Sequence, residues 1–428
     1  MIRVRAAGFA LAIAALAAQP SAAQSPAGSA APVRLTLSDA LARAARGNKA
    51  LVAARLKQAV DAAGVDVAAE RLNPEFAYEA AKETPHQVFG LSLPIETAGK
   101  RARRIALARA TVDIAAATIA QTTLDVNTDV RRAYFTLAAA RARAEIADQI
   151  RDLAKRASDA AATRVALGDA PRLEQLEAEL ELAAAENDAS RARADAVSAR
   201  AGLNVLIGLA PATEIVPLDD VLIVPPPSLG TSALGAMGPG FGTSAAIAAS
   251  TMAASVDLAV IDREIAAGVA RRNLAQALTV PNFGAGAALT YDSPGEFTWG
   301  WRVSGTVAVP LFTRHKAGVV VEDAALAALR AERESLVAII TGRISDAAAR
   351  ASAAADALRR FTTDILPRSR EIEAMAQDSY QSGQTGLVAL LQTVQSARNL
   401  RLQSVQAGLD MQLALADLER ALGASIIK

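Results

Sequence analysis

The chain has 428 residues carrying 45 basic and 44 acidic side chains, a balance that gives it no electrostatic bias toward nucleic acid or acidic substrates. It contains no cysteine, which excludes disulfides, thiolate metal sites and a lipidated N-terminal Cys. Alanine dominates, mixed with Leu, Gln, Arg and Glu, so long helices packed through small side chains are expected.

In chain order, residues 1–23 place Arg3 and Arg5 before an apolar run from Ala6 to Ala18 and a small-residue stretch. That pattern predicts a secretory signal peptide cleaved after Ala23. Its apolar core falls short of the ~20 residues that spanning a bilayer needs. Residues 24–36 form an N-terminal extension. Downstream, the longest apolar stretch, from Thr243, is diluted by Ser and Thr and broken by Asp257, which argues against membrane helices.

The remainder is written twice. A first repeat, 37–208, opens with a helical segment over about Leu37 to Leu72, ended by Pro74, and continues into a β-hairpin at about 75–95. Roughly 70 helical residues then lead to a turn at Gly168, and a return helix runs to Gly208. Residues 209–242, rich in Pro and Gly, read as an irregular connector. The second repeat, 243–423, has the same plan: a helical segment over about Ser244 to Leu278, Pro281, a hairpin at about 282–312, a long helix, a turn at Gly383 and a return to Gly423. Residues 424–428 are a tail. Pro94, Thr97 and Lys100 fall on Pro310, Thr313 and Lys316 at a constant offset of 216, and Gly168 to Gly208 spans 40 residues, as does Gly383 to Gly423. At 1.5 Å per residue, 70 helical residues would reach ~105 Å, far beyond the needs of a compact domain. Apolar residues at spacings of 3 and 4 on the return helices, Leu173, Leu176 and Leu180 or Leu402, Val405 and Leu409, suit coiled-coil packing.

Both hairpins alternate. Trp299, Trp301, Val303, Val307, Val309 and Leu311 share one face, and so do Phe283, Ala285, Ala287, Leu289 and Tyr291 on the partner strand; Gly, Ser, Thr and Arg302 fill the other. In the first hairpin Phe76 and Tyr78 alternate with Glu75, Ala77 and Glu79, and Phe89, Leu91, Leu93 and Ile95 alternate with Gly90 and Ser92. A half-buried sheet lying on the helices is the ordinary reading of such alternation. Aromatic residues near strand ends and a small or polar opposite face favour lipid outside and water inside, with Trp299, Trp301, Phe76 and Tyr78 at the membrane interface. Four strands cannot close a barrel, and open edges are not tolerated in hydrocarbon, so several copies are required.

With these features the sequence resembles the outer-membrane efflux proteins of the TolC family, from LTLSDALARAARGNKALVAAR through LADLERALG. The duplicated strand-strand-long-helix plan, LNPEF at 72–76, SLPIETAGKRARR at 92–104 and the two Gly-marked turns carry the likeness. The short first hairpin, the GKR at 99–101 and the absent lipidation site look most like its heavy-metal branch, which includes the cobalt-zinc-cadmium efflux channel. The resemblance implies a mainly α fold with a membrane β-barrel: a homotrimer with a 12-stranded barrel and a long helical coiled-coil tunnel crossing the periplasm from the outer membrane. It also implies docking onto a periplasmic adaptor, with the turns at Gly168 and Gly383 at the tip, and onto an inner-membrane proton-driven pump of the RND type. Some members close the tip with aspartates six and nine residues after the second turn glycine. Here those positions are Ala389 and Gln392, whereas the first repeat has Glu174 and Glu177, which share a helix face at i, i+3 and could form an acidic ring.

Two basic clusters follow the hairpins: Lys100, Arg101, Arg103 and Arg104, then Arg314, His315 and Lys316. Cations at a helix N-terminus oppose the macrodipole, so anionic lipid headgroups below the barrel are their expected partners, against the alternative of a plain surface patch. His86 and His315 are the only histidines and lack ligand spacing; no GxSxG, P-loop or HExxH occurs, and GPGFG at 238–242 reads as linker. No catalytic residue, resident metal or cofactor is therefore expected. Multidrug export or type I protein secretion on the same fold is an alternative cargo, and an exported structural coiled-coil protein is the competitor from another class.

Overall fold

The computed structural model describes residues 32–83, 85–222, 255–291, 299–307, 312–382, 384 and 387–423. Val33–Leu35 is strand β1. Helix α1, Leu37–Gly47, starts from a capping box in which the Thr36 side chain accepts from the Asp39 N–H and Asp39 returns a bond to the Thr36 backbone. Helix α2, Lys49–Ala69, starts anew at Asn48, whose carbonyl oxygen caps the Ala50 and Leu51 N–H groups. The single helix expected over about Leu37 to Leu72 is thus two helices. The break has a tertiary cause, because the Asn48 amide also donates to the Leu206 carbonyl at 2.9 Å. At this crossing Gly208, with φ +75°, lies so close to Gly47 that a Cβ would sit 2.6 Å from the Gly47 oxygen.

Strands β2, Glu75–Ala80, and β3, Gln87–Ile95, form the first hairpin. Helix α3, Lys100–Ala166, then runs 67 residues, about 100 Å. It turns at Gly168 (φ +80°), where the Asp169 N–H reaches the Arg164 carbonyl, a Schellman closure. Helix α4, Arg172–Leu206, returns. The stretch expected to be an irregular connector contains β4, Ile215–Pro217, which pairs in parallel with β1, so residues 33–35 of the expected N-terminal extension belong to the same small sheet.

The second repeat follows with α5, Val256–Leu278, strands β5, Phe283–Tyr291, and β6, Gly300–Val307, and helix α6, Lys316–Arg360. A π-helical turn, Phe361–Ile365, joins α6 to α7, Leu366–Gln381, and α8, Leu387–Leu422, closes the chain. Pro367 accounts for the π-turn: without an N–H it cannot continue the regular ladder, and the Leu366 N–H bonds the Phe361 carbonyl instead. The hydroxyls of Thr362 and Thr363 bond carbonyls of the preceding turn, at Leu358 and Arg359. The Gln384 N–H reaches the Ser379 carbonyl, a closure that matches the first tip turn; Gly383 itself, Pro310, the DSPGEF turn and the GPGFG segment lie outside the described residues.

The main core lies where α1, β1 and β4 pack on the middle of α3 and on α8, around Leu51, Val130, Tyr134, Leu137, Leu203 and Ile215. Of the two coiled-coil stripes expected on the return helices, Val405 and Leu409 are buried there, whereas Leu173, Leu176 and Leu180 are exposed. Charged side chains bind the repeats along this seam. Arg131 pairs with Glu419 at 2.7 Å, and Arg420 bridges Asp125 and Asp257, to which Gln121 also donates at 2.7 Å.

Burial alone would push the Asp257 carboxyl up, but hydrogen bonds from Arg420 and Gln121 outweigh it and hold the group below its ordinary value of 3.8. A carboxyl lowered in the folded state contributes stability that is present above the unfolded value and is lost as pH falls through the folded one. Asp257→Asn is therefore expected to cost roughly 1–3 kcal/mol near neutral pH. The difference in melting temperature from the parent should shrink below about pH 4, as thermal unfolding monitored by circular dichroism would register.

A two-faced sheet, a helix collar and an acidic helix tip

The hairpins join into one antiparallel sheet in the order β2-β3-β5-β6, which leaves β2 and β6 as open edges. Register sorts every side chain. Phe76 stands opposite Leu91, Leu91 opposite Ala287 and Ala287 opposite Val303; one row along, Tyr78, Phe89, Leu289 and Trp301 line up across all four strands. This face is exposed, with Trp301 80% and Val303 72% accessible. The opposite face carries Glu75, Ser92, Gly286 and Ser304 in one row and Ala77, Gly90, Ala288 and Arg302 in the next. Small residues there meet close neighbours: a Cβ on Gly286 would lie 2.6 Å from the Ser304 hydroxyl. Two pairs of rings meet at a tilt on the apolar side, Tyr78 with Phe89 at 5.1 Å and Tyr291 with Trp299 at 5.2 Å between centroids. Trp299 itself stands one residue before β6. None of the helices among the described residues is long and apolar enough to cross a membrane.

At the base of the sheet, four of the six residues of the expected headgroup-facing basic cluster have partners within the chain. Lys100 is buried and donates to the Val280 carbonyl at 2.6 Å and to the Asn282 side chain. Arg101 bonds the Ala69 carbonyl at 2.6 Å and Arg103 the Asn273 carbonyl at 2.6 Å. Arg104 takes the Ala68 and Glu70 carbonyls, both at 2.9 Å, and pairs with Glu96 at 2.7 Å. These cations stand at the N-terminus of their own helix, yet Arg101 and Arg104 cap the C-terminal carbonyls of α2, and Lys100 and Arg103 bond carbonyls near the C-terminal end of α5, where the dipoles favour them. Arg314 and Lys316 stay exposed.

At the far end, Glu174, Glu177 and Gln392 line one cavity of about 580 Å³ among α3, α4 and α8, floored by Leu153, Ala157 and Leu173. Sequence spacing places the two glutamates together, and the fold brings Gln392, also expected at the tip, into the same cavity; Ala389 is exposed and outside the cavity lining. Glu174 is ion-paired with Arg164, a partner that spacing alone had not indicated, so Glu177 is the more exposed acid of the pair. Arg164 sits in the last turn of α3, four residues before the turn glycine, and that position was its only sequence signal. Above the cavity α4 and α8 are tied by Gln395 donating to Glu181 and Arg398 to Asp188, each at 3.0 Å.

The family described as outer membrane efflux protein matches residues 40–209 and 249–424. The cobalt-zinc-cadmium resistance protein CzcC of Cupriavidus metallidurans is 34% identical over 177 residues, 41% of this chain and 42% of the relative, so the match spans less than half of either. Among solved structures, the open state of the Neisseria gonorrhoeae MtrE outer membrane channel superposes with a TM-score of 0.72 at 18% identity, covering 91% of this chain and 89% of that one. The Campylobacter jejuni CmeC outer membrane channel gives a TM-score of 0.71 at 15% identity, covering 90% and 85%. At those identities the structural likeness is one of fold.

Proposed function

This chain belongs to the outer membrane efflux protein family, and from that membership we propose that it is the exit channel of a tripartite efflux system in a Gram-negative outer membrane. As an outer-membrane efflux protein it is not an enzyme. In this reading three copies supply the twelve strands of a barrel wide enough for a pore, and the helices extend it as a tunnel across the periplasm. The observation that carries the reading is the sheet: one face apolar but for Gln87 at its end and exposed across four registered strands, the other mostly small or polar, with an edge left open on each side. A water-soluble stalk would have no reason to expose Trp301 and Val303 while turning Arg302 and Ser304 the other way. Trp299, Trp301, Phe76 and Tyr78 then serve as interface anchors.

The cargo proposed is divalent metal cations, on the likeness to CzcC, delivered by a periplasmic adaptor and an inner-membrane pump of the RND type. The tip turns at Gly168 and Gly383 would receive the adaptor. Glu174 and Glu177, repeated in each copy, would ring the periplasmic mouth and favour cations over anions. Purified protein in planar bilayers is expected to give discrete conductance steps, and Glu174→Gln with Glu177→Gln to lower the cation-to-anion permeability ratio several-fold. No steps at any protein concentration would overturn the channel reading. Steps with an unchanged ratio would overturn the acidic ring alone.

A further inference from the structure

The two repeats are related more closely than motif spacing conveys. Asn48 caps α2 and Ser255 caps α5, 207 residues on. In the hairpins, Phe76 opposite Leu91 becomes Phe283 opposite Val307, and Ala80 opposite Gln87 becomes Ala287 opposite Val303. Offsets of 207 for the first strand and 216 for the second map these pairings onto each other without a slip. The residue before each long helix is left-handed in both repeats, Gly99 at φ 66° and His315 at φ 52°, again 216 apart. The repeats are thus quasi-equivalent down to individual hydrogen bonds.

Inside one chain, the first repeat holds the second at the base of the sheet. The Thr97 hydroxyl donates to the Pro281 carbonyl, and Lys100 donates to the Val280 carbonyl at 2.6 Å and to the Asn282 side chain. This clasp sits beneath the β3-β5 pairing, where Ile95 stands opposite Phe283. The same donors recur in the second repeat as Thr313 and Lys316. The same acceptor stretch recurs in the first as Asn73, Pro74 and Glu75, with Pro74 and Phe76 matching Pro281 and Phe283. Within the chain these two halves cannot meet, because β2 and β6 are the opposite edges of the sheet. Lys316, Asn73 and Glu75 are all exposed.

We propose that they meet between copies: Lys316 of one chain reaches the Asn73 carbonyl and the Glu75 carboxylate of its neighbour, repeating at the subunit seam the clasp that Lys100 makes internally. The position of the neutral Asn282 is taken by Glu75, so the intermolecular version is an ion pair where the internal one is a charge-assisted hydrogen bond. The helices agree with this arrangement. Arg103 of α3 bonds Asn273 of α5 and Gln121 bonds Asp257, and the same offsets bring α6 alongside the neighbour's α2. Those two surfaces carry apolar side chains that nothing in the single chain covers: Val320 and Val321 on α6, and Leu56, Val60 and Val67 on α2. The inference rests on the oligomeric channel reading and names the residues that seal it.

The chain has no cysteine, so paired introductions report without background. Lys316→Cys with Glu75→Cys, treated with a short bismaleimide in native membranes, is expected to give a ladder of covalent dimers and trimers on denaturing gels. Lys100→Cys with Asn282→Cys should react within one chain and stay at monomer mass. Lys316→Glu and Glu75→Lys should each lower the temperature at which the detergent-solubilised oligomer dissociates, and the double exchange should recover most of the loss. An oligomer of native mass that neither cross-links nor responds to the charge exchange would overturn the clasp and leave the channel reading intact. A protein monomeric in every form would overturn both.

Discussion

Arginine at Leu91 is expected to strip the protein from the outer membrane. Leu91 lies at the centre of β3, on the face shared by Phe76, Ala287 and Val303; that face is solvent-exposed in the single chain, and in the proposed barrel lipid would cover it. A cation on the lipid-facing side of a barrel near mid-membrane costs about 2–4 kcal/mol, and each copy in the ring would carry one. The folded fraction recovered from outer membranes should fall at least tenfold in Leu91→Arg cells, with the protein degraded or left in the periplasm. Its neighbour supplies the control. Ser92 points to the other face, beside Glu75 and Gly286, so Ser92→Arg should insert normally and shift the ion selectivity of the channel. Equal recovery of Leu91→Arg and parent protein would mean that this face meets water or another protein, as the structural coiled-coil alternative requires.

The second large effect lies far from the membrane. Tyr134, on α3, is fully buried, and its phenol oxygen lies 2.9 Å from the Leu35 carbonyl and 2.8 Å from Asp219 while accepting the Leu218 and Asp219 N–H groups at 3.2 Å. Asp219 in turn accepts the Leu37 N–H at 2.7 Å. One side chain therefore locks the β1–β4 pairing, the start of α1 and the chain leaving the first repeat onto the long helix. Tyr134→Ala removes a large buried ring and is expected to cost about 3–5 kcal/mol. Tyr134→Phe keeps the ring, leaves the Asp219 N–H without its partner and takes one donor from the Asp219 carboxylate, and is expected to cost about 1–3 kcal/mol. Thermal unfolding followed by far-ultraviolet circular dichroism would rank the two; a Phe variant that melts with the parent would show that the hydroxyl contributes nothing.

Burial pushes the Tyr134 phenol well above its ordinary value of 10.0, so it stays protonated in the folded protein through the range where an unfolded chain ionises it. A raised folded value gives stability that is complete below about pH 10 and declines above it, because only the unfolded chain then releases the proton. The parent should lose stability more steeply than Tyr134→Phe between about pH 10 and pH 11.

Whatever depends on neighbours along the chain could be read in advance from the residues. Alternation in FGAGAALTY and GWRVSGTV fixes which side chains share a face, since successive residues on a strand point opposite ways. Gly168 and Gly208 mark helix ends because the left-handed conformation there is cheap only without a Cβ. The span from Lys316 to Gln381 matches α3 almost residue for residue, although it is interrupted by the π-turn before Pro367, which no periodicity marks. Glu174 and Glu177 could be paired by helical spacing, and the third wall of their cavity, Gln392, could not.

Partners distant in sequence were decided by the tertiary structure alone. Lys100, Arg101, Arg103 and Arg104 read as a cluster aimed at lipid because their own helix offers them nothing; folding brings carbonyls near the C-terminal ends of α2 and α5 beside them, and the cations take those acceptors. The short β1 and β4 carry no pattern of their own and exist because each satisfies the other's backbone across about 180 residues of chain. Periodicity and turn chemistry are written locally and so survive in one dimension, whereas the destination of a charge or an unpaired strand is set by which surfaces the folded chain brings within 3 Å.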